Sequence, residues 1–176
     1  VSLADASPSL STDVVNKSGL GILNLGNYAG NVTVVGGLGI NADGNGRGTY
    51  EEILIGGPLV LTGDTAITVS RSGSGPYALN KVLQKGDLTV PGNIMSVTNL
   101  GGYGLEFTGT TTLAGPAHFS VGVASAPNLV SGLILSGAID DGAGTFGLIK
   151  SGPGTLELRG VNTFGGAGQT IDILGG

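Results

Sequence analysis

Apolar residues along this chain come in short alternating bursts that end on glycine. Two apolar positions separated by one, then a glycine, recur in Leu59-Val-Leu-Thr-Gly63, Leu88-Thr-Val-Pro-Gly92, Leu105-Glu-Phe-Thr-Gly109, Leu133-Ile-Leu-Ser-Gly137 and Leu156-Glu-Leu-Arg-Gly160. Val32-Thr-Val-Val-Gly36 has the same form, and Leu23-Asn-Leu-Gly26 has it with one residue fewer. A period of two predicts short strands with one buried face, and the closing glycine predicts a turn. The glycines at 36, 63, 92, 109, 137 and 160 lie 27, 29, 17, 28 and 23 residues apart, which predicts coils joined by loops of varying length. No window sustains apolar residues at helical spacing without a glycine interrupting it, so the chain reads as all-β.

A longer repeat chooses between a sandwich and a stack. Asn16-Lys-Ser-Gly-Leu-Gly-Ile-Leu-Asn-Leu25 matches Ile149-Lys-Ser-Gly-Pro-Gly-Thr-Leu-Glu-Leu158 at a displacement of 133 residues. Lys-Ser-Gly-x-Gly supplies a tight turn, and the Leu pair after it points two side chains inward onto the neighbouring coil. Stacking of coils is favoured over a closed sandwich.

Composition agrees with this picture. The 176 residues suffice for one domain, 1–176, with its own core. Glycine fills 36 positions, about three times its usual share, while charged residues make up only 11%. A chain that is 40% hydrophobic with a net charge of -5 is not of the disordered class. Its acidic balance provides no basic footprint for nucleic acid. Cysteine is absent, so disulfides and thiolate metal sites are excluded. No apolar run reaches the length of a membrane helix, and membrane insertion is not expected. The start at Val1 lacks the features of a signal peptide, which suits a mature product or an excised piece.

Residues 144–166, Gly-Thr-Phe-Gly-Leu-Ile-Lys-Ser-Gly-Pro-Gly-Thr-Leu-Glu-Leu-Arg-Gly-Val-Asn-Thr-Phe-Gly-Gly, resemble the autotransporter-associated β-strand repeat, also called the passenger-associated transport repeat. Leu148, Lys150, Gly152, Gly154, Thr155, Leu156, Leu158, Gly160, Asn162, Thr163 and Gly165 occupy the matching positions, and Phe164 stands where that family usually has tyrosine. A more degenerate copy at 16–28 keeps Lys17, Gly19, Gly21, Leu23, Leu25, Asn27 and Tyr28. Together the two copies cover about a fifth of the chain. The resemblance implies a right-handed parallel β-helix (β-solenoid) with irregular glycine-rich loops, in an exported bacterial surface protein. The family's membrane barrel and export signal are not among these residues.

Several segments imitate chemical motifs. Asn41, Asp43 and Asn45, with Gly46 at the sixth position and Glu52 at the twelfth, have the oxygen spacing of a calcium loop. A neutral Asn at the first position, Gly48 at the eighth and non-helical flanks leave an Asx-rich turn as the alternative. These four residues are the metal candidates, and apart from a calcium ion held there no cofactor is expected. Gly37-x-Gly39-x-x-Ala42 after an apolar strand has the form of a dinucleotide fingerprint, but the glycines that follow cannot propagate the helix such a site requires. The adjacent Asp140 and Asp141 would face opposite sides of a strand, which suits a turn better than an acid and base pair. His118 is the only histidine, so no histidine-based metal triad exists, and no serine elbow accompanies it. Tyr28, Phe164 and the other aromatics read better as coil-end stacking residues than as a sugar platform; Tyr50, Tyr77 and Tyr103, in glycine-rich loops, are the alternative candidates for contact with a glycan.

The expected function is therefore non-enzymatic: an extracellular structural or adhesive module of a bacterial surface protein. A coil stack exposes strand edges at its ends, which predicts end-to-end self-association into filaments, or a cap, for which residues 1–15 are the candidate cap or exchanged arm. A cell-surface or matrix glycan is the other expected partner. The alternative is a carbohydrate-active β-helix enzyme, a polysaccharide lyase or hydrolase, which requires carboxylates converging in one groove.

Overall fold

The structure, a computed structural model, describes residues 14–17, 22–25, 28, 30–45, 48–73, 79–123 and 130–176. Within them the chain forms sixteen strands and no helix, and so none long and apolar enough to cross a membrane. The strands are β1 Val14–Lys17, β2 Ile22–Asn24, β3 Asn31–Asn41, β4 Glu51–Leu54, β5 Leu59–Ser70, β6 Lys81–Lys85, β7 Leu88–Pro91 and β8 Ile94–Asn99. They continue as β9 Tyr103–Phe107, β10 Thr111–Gly115, β11 Ala117–Val121, β12 Leu133–Leu135, β13 Ile139–Asp140, β14 Leu148–Ser151, β15 Leu156–Leu158 and β16 Ile171–Ile173.

Every pairing is parallel. β4, β6, β9, β12 and β15 form one five-stranded sheet, and the remaining eleven strands form the other. The chain is thus a parallel β-solenoid, the stack of coils expected from its longer repeat, about five turns long. In-register columns run along its axis. Val32 pairs with Leu59, Leu59 with Leu88, Leu88 with Thr111 and Thr111 with Ile139 in the large sheet. Leu83, Leu105, Leu133 and Leu156 form the matching column in the small sheet. Alternate side chains of both sheets point inward and make one continuous apolar core, from Leu23 to Leu148. Each buried Leu contributes roughly 1.5–3 kcal/mol.

The irregular glycine spacing has a simple origin. The repeated motif belongs to two different faces of the coil. Gly160 lies against Gly137, and Gly137 against Gly109, at the corner that leaves the small sheet; a β-carbon on Gly137 would collide with the Gly109 carbonyl oxygen. Gly92 and Gly115 meet at the break in the large sheet, where a β-carbon on Gly115 would come within 2.9 Å of the Gly92 Cα. The step from Gly92 to Gly109 therefore crosses from one sheet to the other within a coil.

Charged side chains are tied to the backbone of the stack. Each of the four lysines donates its ammonium to a backbone carbonyl: Lys17 to Val35 (2.9 Å), Lys81 to Asn45 and Thr49, Lys85 to Tyr28 (3.5 Å), and Lys150 to Gly152 and Gly175. Aspartates do the converse. Asp43, Asp64, Asp87 and Asp141 accept from the amides of Gly73, Ile94, Thr110 and Gly165, each in the following coil.

Candidate functional site

The loop that follows β3 carries the sequence-predicted metal ligands, and the structure sends them to different partners. Asn41 ends β3, paired with Ser70, and its buried Oδ1 has no hydrogen-bond partner. Asp43 accepts from Arg71 Nε at 2.8 Å and from the Gly73 amide at 3.0 Å, and these bonds hold its carboxyl below the ordinary range. Glu52 accepts from the Tyr50 hydroxyl at 2.6 Å, which, with burial, pushes that phenol up to about 12.

Asn45 turns instead to Glu51. Its amide donates to Glu51 Oε2 at 2.6 Å and its side chain to Oε1 at 3.1 Å. Glu51 and Glu52 are neighbours on β4, so their side chains leave opposite faces, and only Glu51 faces the loop. At the loop's centre sits the ammonium of Lys81, with no exposed surface, 2.6 Å from the carbonyl oxygens of Asn45 and Thr49 and 3.1 Å from Glu51 Oε2. Burial pushes the Glu51 carboxyl up, but the hydrogen bonds from Lys81 and Asn45 outweigh it and hold the group below its ordinary range. Among the described residues no three His, Cys, Asp or Glu side chains gather as metal ligands. Sequence spacing missed Lys81 because it arrives from β6, one coil later.

A second polar cluster covers the outer face of the small sheet. Register places Gln84, Glu106, Ile134 and Glu157 in one column. Glu106, nearly buried, accepts from Gln84 Nε2 at 2.7 Å, from Ser136 Oγ, and from Arg159 at 3.4 Å. Arg159 also donates to Glu157 at 2.7 Å, and Ser131 donates to the other Glu157 oxygen at 2.9 Å. The Arg159 and Ser131 bonds hold the Glu157 carboxyl below its ordinary range, while Glu157 pushes the guanidinium up. An arginine that bridges two carboxylates keeps Glu157 ionised, whereas a glycosidic general acid must stay protonated near neutral pH. No sequence motif announced this cluster, because its members are joined only by coil register.

The remaining candidates resolve locally. Asp140 accepts from the Gly142 amide, and Asp141 from the amides of Phe146 and Gly165, which hold the Asp141 carboxyl below its ordinary range. Both are turn caps. His118 lies half-buried on β11, its Nε2 2.7 Å from Ser151 Oγ. Gly37 and Gly39 stay within β3, so no helix begins there. Tyr103, placed in a glycine-rich loop as a candidate for glycan contact, is instead fully buried on β9, while Tyr50 is exposed; Tyr77 lies outside the described residues, as do residues 1–13 of the expected cap. A shallow groove of about 520 Å³ on the large sheet runs over Gly37, Ala66 and Ser96 between the exposed Ile22 and Ile94, with Asp64 its only charged residue. It brings no reactive pair together. No family model matches the chain, and neither a curated protein nor a solved structure matches it.

Proposed function

We propose that the chain is a non-catalytic structural or adhesive β-solenoid module of a bacterial cell surface, built to stack end to end. The observation that carries this reading is where the charge goes. All four lysines and four aspartates are committed to backbone groups, most of them joining one coil to the next. Side chains used in this way stiffen a rod and are withdrawn from chemistry. The bacterial surface setting rests on the resemblance of residues 144–166 to passenger repeats.

Stacking is supported by β16. Ile171 and Ile173 pair with Leu148 and Lys150 of the coil before, yet they are 56% and 72% exposed, with Leu174 and Val161 exposed nearby. A further coil, from the same polypeptide or from another copy, would cover this stripe and pair the open edge. Negative-stain electron microscopy with sedimentation tests it: rods or fibres that lengthen with concentration are expected, and uniform single particles at all concentrations would remove the end-to-end part.

The carbohydrate-active reading has one observation in its favour, the convergence of Tyr50, Glu52, Glu106, Glu157 and Arg159 over the small sheet. Release of reducing ends from acidic or neutral polysaccharides, lost in Glu106→Gln and Glu157→Gln, would establish it in place of the structural module.

A further inference from the structure

We propose that the carbonyls of Asn45 and Thr49 and the carboxylate of Glu51 form a cation site whose resident cation is the protein's own Lys81 ammonium, and that a divalent metal takes its place when that ammonium is removed. An ammonium has three donors, and here three oxygens receive them: the carbonyls of Asn45 and Thr49 at 2.6 Å each and Glu51 Oε2 at 3.1 Å. The oxygens come from well-separated points of the loop and converge on one fully buried position, the arrangement a hard cation demands.

The loop is also shaped around the lysine. A β-carbon on Gly44 would stand 2.7 Å from both Lys81 Cδ and Cε and 2.9 Å from Glu51 Oε2, so any larger residue there would push the lysine stem or the carboxylate aside. Asn80 holds the same loop from the adjacent position by donating to the Gly48 carbonyl at 2.8 Å. Of the four residues with calcium-loop spacing only Asn45 meets this charge, through its carbonyl, and the carboxylate is supplied by Glu51 instead of Glu52. Deleting the amine leaves two carbonyls and a carboxylate facing one void, a net negative cradle open to an oxygen-seeking ion.

Thermal melting of the whole chain with added calcium chloride, against sodium chloride at matched ionic strength, tests this. The wild-type melting temperature should not respond to calcium beyond the salt control. Lys81→Ala should melt several degrees lower in chelator and recover much of the loss with calcium on the order of 1 mM, the strength of weak protein calcium sites. Adding Glu51→Gln to Lys81→Ala should abolish the recovery, and Lys81→Met, which refills the void without charge, should show none. If Lys81→Ala does not fold in chelator, refolding in calcium alone supports the proposal. Calcium raising the wild type as much as the variant overturns it, and so does a Lys81→Ala protein that is indifferent to calcium or unfolded in both buffers.

Discussion

The two Lys-Ser-Gly segments, one near each end of the chain, begin alike and finish differently. Lys17 on β1 pairs with Val34 and donates to Val35, one residue on; Lys150 on β14 pairs with Ile173 and donates to Gly175, two residues on. Both lysines thus hold a carbonyl of the coil that follows. The Leu pair behind them diverges. Leu156 and Leu158 enter the small sheet against Leu133 and Leu135, whereas Leu23 on β2 stays in the large sheet against Leu38, with Leu25 bonded beside it to Gly39. The chain reaches β3 at Asn31, soon after β2, with too little length to lay a strand in the small sheet first. Leu25 and Tyr28, both buried, line the core there instead. The lysine staple is a local property of the motif, and coil length decides which sheet its leucines join.

The strongest way to break the C-terminal arrangement is at the glycine corner that the leucines of β12 and β15 lead into. Gly137→Ala places a methyl against the Gly109 carbonyl while Gly160 presses from the other side, backbone against backbone on both faces. The expected loss is about 3 kcal/mol, the upper end for overpacking, because no flexible side chain can yield. Chemical denaturation should show it. Gly168→Ala, where no atom lies within reach but φ is +87°, should cost only about 1 kcal/mol of backbone strain.

At the other end the sharpest probe is Lys85. Its ammonium is fully buried on a strand otherwise facing the core, with the Tyr28 carbonyl at 3.5 Å as its acceptor, and burial pulls its pKa from 10.5 to about 8. The carboxylates on the flanking strands are engaged elsewhere: Glu51 with Lys81, Glu52 with Tyr50, Glu106 with Gln84 and Arg159. A base whose folded pKa lies below its unfolded value is penalised wherever it is charged. The penalty is complete below pH 8 and is relieved as pH rises toward 10.5. Wild-type stability should therefore climb between pH 8 and 10. Lys85→Met should be flat in that window and more stable at pH 7 by about 3 kcal/mol, the free energy of the shift. A variant no more stable than wild type would mean that the cavity supplies the ammonium with partners beyond Tyr28.

These two sites also mark what could be read in advance. The alternation of Leu59, Leu61, Leu88 and Val90 disclosed strands and their inner faces, because a period of two is a local property. Gly109, Gly137 and Gly160 were visible as a repeat, but their column could be separated from that of Gly92 and Gly115 only once register was known. Neither Lys85 nor Lys81 looked exceptional, since what distinguishes them is the depth at which β6 sits and the loop a coil away. The Glu106, Arg159 and Glu157 cluster was hidden for the same reason. Side chains separated by whole coils become neighbours through stacking, and coil lengths that vary along the chain conceal that distance.

The lysine staples themselves should differ modestly. Lys150 bridges Gly152 and Gly175 from a nearly buried position, and Lys17 reaches Val35 from a half-buried one. Charge-assisted bonds of this kind are worth roughly 1.5–3 kcal/mol when buried and less when wet. Lys150→Met should cost about 2 kcal/mol and Lys17→Met about 1 kcal/mol in denaturant unfolding. Equal losses would show that both copies work as one device; a larger loss at Lys17 would place the limiting contact of the stack at its N-terminal coil.

The smallest effect expected is a change along the pH axis, and it separates the two ends by chemistry. Asp141 ties its own turn to the coil that follows through the amides of Phe146 and Gly165, and those bonds hold its carboxyl below the ordinary 3.8. Positions 14–30 contain no carboxylate. An acid whose folded pKa is depressed contributes stability above its unfolded pKa and loses it as pH falls through the folded one. Asp141→Asn should therefore melt below the wild type at pH 7, and the gap should close as both are taken below the usual aspartate range. A gap that persists at pH 2 would assign the role of Asp141 to shape instead of charge.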